Sequence, residues 1–189
     1  MPRLAVVIVS WNVRELLASC LRSLFADLEQ AGVPASTWVV DNASSDGTPD
    51  MVRDEFPDVH LRALDENLGF AAGNNVALRE ILKTPEPDAH NDLIWLLNPD
   101  TEVQPGAAGR LVEVMDRRPH VGVAGARLLF PDGSHQQSAF RFPGVTQLLF
   151  ELFPMPARLY ETRLNGRYPR RLYEGDHPFP IDHPLGASM

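Results

Sequence analysis

Four apolar runs in this chain break off in clusters of carboxylates, carboxamides and hydroxyls: Ser10-Trp11-Asn12, Asp41-Asn42-Ala43-Ser44-Ser45-Asp46-Gly47, Asp65-Glu66-Asn67-Leu68-Gly69 and Asn98-Pro99-Asp100. Each cluster alone has an ordinary structural use, with Asp41 or Ser44 forming a local turn and Asp100-Thr101 capping a following helix. Together they ask for a ligand. A carboxylate directly after a strand, such as Asp41, accepts hydrogen bonds from a base N–H or a ribose hydroxyl, and Trp11 offers a flat face for stacking a base. Gly69, Gly73 and the Asn74-Asn75 pair open a helix, where small residues let backbone N–H groups approach a phosphate. Asp100 on a stiff turn suits Mg²⁺ or Mn²⁺, hard cations that prefer oxygen and share their shell with a diphosphate. These residue types point to a nucleoside-diphosphate site completed by a divalent metal.

The elements that must position these residues alternate along the chain. Leu4 to Trp11 is β-branched and continuous, a strand buried on both faces. Val13 to Ala31 places Leu16, Leu17, Cys20, Leu21, Leu24, Phe25 and Leu28 at helical spacing, and Gly32-Val33-Pro34 stops it. Thr37 to Val40 reads as the second strand. Thr48-Pro49 then supplies an N-cap hydroxyl and a first-turn proline for a helix containing Met51, Val52 and Phe56. His60 to Leu64 is the third strand, Phe70 to Leu82 a helix, Asp92 to Leu97 the fourth strand. A helix from Pro105 to about Arg118 and a fifth strand from Val121 to Phe130 complete the series. Such alternation implies an α/β fold with a mostly parallel sheet and helices on both faces. Ligands of such sheets bind outside the carboxyl ends of the strands, so the four polar clusters converge on one rim.

Beyond Phe130 the texture changes. Asp132-Gly133 is a hairpin signal, and Arg141 to Tyr173 is irregular, with six Arg against two Glu among Phe, Leu and Tyr. That stretch is locally basic on a chain of formal charge −8. It reads as an irregular excursion packed on the sheet, or as a lid or surface that meets an anionic acceptor. We divide residues 1–189 as a single domain with a nucleotide-binding core over 1–130 and the start of an acceptor-side region over 131–189.

Composition excludes other classes. The acidic balance argues against a grip on nucleic acid, which needs Lys and Arg clustered against phosphate. A single cysteine, Cys20, rules out an intrachain disulfide or a Cys-based zinc site and fits a small buried apolar position. No stretch reaches the ~18 apolar residues of a membrane span, and "AVVIVSW" is too short for a leader. Ser10-Trp11-Asn12 stands where a dinucleotide oxidoreductase would need G-x-G-x-x-G, and no G-K-[ST] of a P-loop is present. "SSDGT" superficially matches the D-x-D-G-T of haloacid-dehalogenase-like phosphatases, but their nucleophile sits at the strand end and Asp46 does not.

The ordered motifs "VVIVSWN", "VVDNASSDGT", "ENLGFAAGNN", "WLLNPDTEV" and "HPLGASM" resemble those of family 2 inverting glycosyltransferases, most of all the rhamnosyltransferase-like branch. The resemblance covers nearly the whole chain. It implies a GT-A fold, a nucleotide-diphospho-sugar donor (UDP- or dTDP-linked), Mg²⁺ or Mn²⁺, and transfer with inversion to a saccharide or lipid-linked acceptor. By motif, Ser10, Trp11 and Asp41 would meet the nucleoside, and Asn67, Gly73 and Asn74 would flank the donor. Asn98-Pro99-Asp100 would replace the family's D-x-D, leaving Asp100 as the metal ligand, and Gly186 and Ala187 would border the acceptor. The resemblance also places the general base beyond Met189, in an acidic motif after "GASM", so no residue here is assigned that role. Asp176, Asp182 and His183 suit turn or ladder roles. The rival class is a nucleotide-sugar-binding module that catalyses nothing. A cytoplasmic setting, extending to peripheral association with the inner face of the cell membrane, is the expected location.

Overall fold

The computed structural model describes residues 4–83, 93–153, 156, 165–175 and 177–189. The expected start of the fourth strand at Asp92 and the ionisable Asp176 lie outside the described residues, as do Arg158 and Arg163 of the basic stretch. The chain divides into two compact units, Met1–Gly122 with Gly186–Ser188, and Val123–Leu185 with Met189.

The first unit is built on β1 (Leu4–Ser10), β2 (Ala35–Asp41), β3 (His60–Ala63) and β4 (Leu93–Leu96), all parallel and ordered β3-β2-β1-β4. Helices α1 (Arg14–Ala31), α2 (Thr48–Glu55), α3 (Phe70–Ile81) and α4 (Ala107–Arg117) connect or follow the strands. Every residue of β1 is buried, for a physical reason visible in its alternation. Leu4, Val6 and Ile8 enter one apolar cluster with α1, α2 and α4, whereas Ala5, Val7 and Val9 enter another with α3. A strand covered on both faces must be apolar at every position, and each fully buried Val, Leu or Ile contributes roughly 1.5–3 kcal/mol. α1 ends where expected, with Gly32 left-handed at φ 60° and the Val33 amide donating to the Leu28 carbonyl at 3.1 Å.

Three expectations are corrected. β1 stops at Ser10, leaving Trp11 outside the ladder. Thr48 is the first residue of α2 rather than its cap, because Gly47 takes the cap position and Asp46 receives the Thr48 amide at 3.1 Å. No strand spans Val121 to Phe130. Only Leu128–Leu129 (β5) is extended, paired antiparallel with His135–Gln136 (β6). Gly122 and Gly125 lack the side chains that hold a strand in a sheet, and a Cβ on Gly125 would come within 2.4 Å of the Pro184 Cβ. Among the described residues the parallel sheet therefore has four strands, not five.

In the second unit the Asp132-Gly133 hairpin forms as expected, Gly133 taking φ 79° and donating to the Phe130 carbonyl at 2.8 Å. A second ladder pairs β7 (Ala139–Phe140) with β8 (His183–Pro184), and α5 covers Val145–Leu152. Buried Tyr173 stacks edge-on against Phe179 at 5.2 Å. Asp182, just before β8, accepts the Phe142 amide at 3.0 Å and the Tyr168 hydroxyl at 3.1 Å through its side chain. Among the described residues no helix is long and apolar enough to cross a membrane.

Candidate functional site

The parallel register sets Ser10 beside Asp41, so the last residues of β1 and β2 present their side chains together. Asp41 is 1% exposed, and one carboxylate oxygen accepts the Ser44 amide at 2.9 Å. Its other oxygen is buried without a partner, as are the Ser10 hydroxyl and the Asn42 carboxamide oxygen. Leaving one such atom unpaired costs about 1–3 kcal/mol. Three of them lie together at the ends of β1 and β2, two on adjacent residues, which is more than a satisfied protein interior usually leaves.

The loops after β1 and β2 are bolted together. Asn12 and Ala43 sit in the left-handed region at φ 52° and 61°, which costs non-glycine residues energy. Reciprocal bonds hold them: the Asn12 amide donates to the Ser44 hydroxyl at 2.9 Å, and the Ser45 amide donates to the Asn12 side-chain oxygen at 2.8 Å. The Arg14 amide donates to Asp46 at 3.0 Å. Desolvation works to raise the Asp46 pKa, but bonds from the Thr48 hydroxyl and the Arg14 and Thr48 amides outweigh it and hold the carboxyl below the usual 3.8. The brace fixes the backbone just after Trp11, a residue that remains 55% exposed. Sequence reasoning singled out Ser10, Trp11 and Asp41 as nucleoside contacts and named Asn12 and Asp46 only as cluster members, without the bracing role, although an Asn followed by a helix start and an Asp before Gly-Thr-Pro are both capping signals.

A third loop joins them through carboxamides. The Asn42 side chain donates to the Gly69 carbonyl at 3.3 Å, and Asn67 receives the Gly69 amide at 2.8 Å. Gly69, at φ 79°, opens α3, whose first turn has no side-chain cap. Gly73 and Asn74 face inward instead. A Cβ on Gly73 would lie 2.9 Å from a Val9 methyl, so close packing of α3 on β1 requires the glycine. Asn74 is 4% exposed and donates to the Phe70 carbonyl at 2.9 Å.

At β4 the rim is built from distant sequence. Leu97 bridges Ser188, the Trp95 indole donates to the Ser188 hydroxyl at 2.9 Å, and the Asn98 amide donates to the Ala187 carbonyl at 2.9 Å. Gly186-Ala187 thus lies against Asn98, a juxtaposition no local pattern reveals. Asp100 is exposed, and among the described residues no group of three His, Cys, Asp or Glu could hold a metal. One carboxylate does not make a resident metal cage. It does fit Mg²⁺ or Mn²⁺ held by one or two carboxylates together with substrate phosphates.

Sequence comparison gives independent bearings. The family described as Glycosyl transferase family 2 matches residues 5–184. The N-acetylglucosaminyl-diphospho-decaprenol L-rhamnosyltransferases of two Mycobacterium tuberculosis strains are 31% identical over 146 residues, 75% of this chain and 46% of theirs. The chain therefore spans under half the length of these curated relatives. Among solved structures, mannosyltransferase PcManGT from Pyrobaculum calidifontis, in complex with GDP-Man and Mn²⁺, superposes with TM-score 0.53 at 23% identity, covering 69% of this chain and 36% of that one. The likeness is one of fold: α/β, of the GT-A type.

Proposed function

The chain belongs to glycosyl transferase family 2, and from that premise we propose that its strand-end rim binds a UDP- or dTDP-sugar for transfer with inversion to a saccharide or lipid-linked acceptor. The observation that carries this reading is the buried, unpartnered oxygen of Asp41 beside the equally unpartnered Ser10 hydroxyl, with exposed Trp11 on the adjoining loop. A pyrimidine stacked on Trp11 would bring a base N–H or a ribose hydroxyl to Asp41. Asn67 and the uncapped first turn of α3 would flank the donor, with Gly73 and Asn74 shaping that wall from behind.

Asp100 would share a Mg²⁺ or Mn²⁺ ion with the diphosphate, and Asn98 would contact the donor beside it. When bound, the ion supplies charge neutralisation for the departing diphosphate. In the transfer itself the acceptor hydroxyl oxygen bonds to the anomeric carbon as the bond to the diphosphate oxygen breaks, and a general base takes the hydroxyl proton. We assign no residue of this chain as that base. Gly186 and Ala187, set against Asn98, would border the acceptor. The decaprenol-linked substrate in the relatives' name favours a lipid-linked acceptor, and with it a cytoplasmic protein associated peripherally with the inner face of the membrane.

The test is incubation with UDP- and dTDP-sugars and a panel of saccharide and polyprenyl-diphosphate-linked acceptors. This chain is expected to bind the donor, and from a chain that also carries the general base the expected product is a glycoside of inverted anomeric configuration by NMR, with release of UDP or dTDP. Nucleotide binding with no product from any acceptor would instead favour a donor-binding module without catalysis.

A further inference from the structure

α1 presents Cys20, Ser23 and Asp27 on one helical face, and each bonds the segment that runs from β4 to α4. Cys20 Sγ lies 3.6 Å from the Asn98 carbonyl oxygen and 3.8 Å from the Thr101 hydroxyl. Ser23 Oγ accepts the Val103 amide at 3.0 Å. The Asp27 carboxylate, 2% exposed, accepts the amides of Gly106 and Ala108, the second at 2.7 Å. Residues 98–106 contain neither helix nor strand, and α4 has no side-chain cap from its own cap residue. Asp27 therefore caps α4 from a different helix. Asp100 stands between the Cys20 anchor and the Ser23 anchor.

We propose that Ser23 and Asp27, assisted by Cys20, are positioning residues for the donor site: a polar ladder on α1 that fixes where Asp100 stands. The proposal rests on the reading of Asp100 as the metal-side carboxylate. The contacts of all three described above go to the 98–108 segment. An exposed carboxylate on an unanchored loop would spend most of its time away from the diphosphate, whereas a loop tied at Asn98, Val103 and Gly106 is held near one geometry. The ladder also occupies the α4 amino terminus with a protein carboxylate, whereas the start of α3 has no side-chain cap from Gly69.

Asp27→Asn keeps the shape but turns an NH₂ toward a backbone amide, and Ser23→Ala removes the acceptor for Val103. Both are tested by hydrogen exchange of the 98–108 amides and by Mn²⁺ titration of UDP and dTDP binding. The expected result is amide exchange in 98–108 faster by about tenfold, the scale of one lost hydrogen bond. The Mn²⁺ concentration for half-maximal nucleotide binding should rise, nucleotide affinity in EDTA should stay that of the wild type, and Ser23→Thr should restore both readouts. Variants with lower thermal midpoints but wild-type loop exchange and Mn²⁺ midpoint would overturn the proposal, since Ser23 and Asp27 would then only stabilise the fold. Should Asp27→Asn fail to fold, half-buried Ser23 carries the same readouts through Ser23→Ala. A wild-type protein with no Mn²⁺-dependent nucleotide binding would refute the reading of Asp100 instead, while the exchange data would still report on the anchoring.

Discussion

Asp41 is the residue on which the proposed nucleoside contact rests, because the fold explains only half of its carboxylate. One oxygen holds the Ser44 amide, and the other, buried, has no partner. Asp41→Ala should weaken nucleotide binding by about 1.5–3 kcal/mol, the loss of a hydrogen bond to a charged group, while the protein stays folded by circular dichroism. A variant that melts yet binds normally when folded would make Asp41 a structural cap. Asp46 behaves differently. Its folded pKa is depressed, so its bonds to Thr48 and Arg14 contribute stability fully present above the ordinary 3.8 and lost as pH falls through the lower folded value. Acid unfolding should show the stability advantage of wild type over Asp46→Asn shrinking below that pH, and an advantage unchanged with pH would contradict the assignment. Cys20 was legible as a buried position, and burial pushes its thiol up to about 11, which makes it unreactive. Asp27 was not legible as a cap, since its partners lie 79 and 81 residues away. The only hint was an acid at a core-facing helical position, where an unpaired carboxylate is seldom found.

At the scale of elements, β1 was readable as a continuous β-branched run covered on both faces and α1 by its spacing of three and four, whereas β3, with no β-branched residue and mostly exposed, was readable only from its place in the alternation. The fifth strand was misread because Val121 to Phe130 has the apolar content of a strand but two glycines within it, and close approach to Pro184 rather than pairing accounts for one of them. Gly73 illustrates a subtler failure, a glycine read as phosphate-facing that packing demands. Gly73→Ala should lower the denaturation midpoint. The added methyl meets Val9 at 2.9 Å and the Asn42 side chain at 3.4 Å, and overpacking of about 1–3 kcal/mol outweighs the roughly 0.5–1 kcal/mol gained in helix propensity. Equal or higher stability would mean that β1 yields to α3 and the wall is softer than described. In the second unit, Phe142, Val145, Leu148, Leu149, Leu152 and Phe153 are all exposed, within the locally basic stretch. If that stretch meets an anionic lipid surface, charge reversal at Arg167 and Arg171 should reduce co-sedimentation with anionic vesicles in a salt-dependent way. Unchanged association at low salt would count against it.

For the whole molecule, a chain of net charge −8 offers no general attraction to a diphosphate, so the proposed donor would have to be held by local geometry and a shared cation. That is the central claim, and the most direct test is calorimetry of UDP and dTDP binding to this chain in Mn²⁺ and in EDTA, repeated with Asp100→Asn. The account predicts tight binding in Mn²⁺, much weaker binding in EDTA, and an Asp100→Asn variant whose affinity no longer depends on the metal. Equal affinity of the wild-type protein in Mn²⁺ and in EDTA would contradict it.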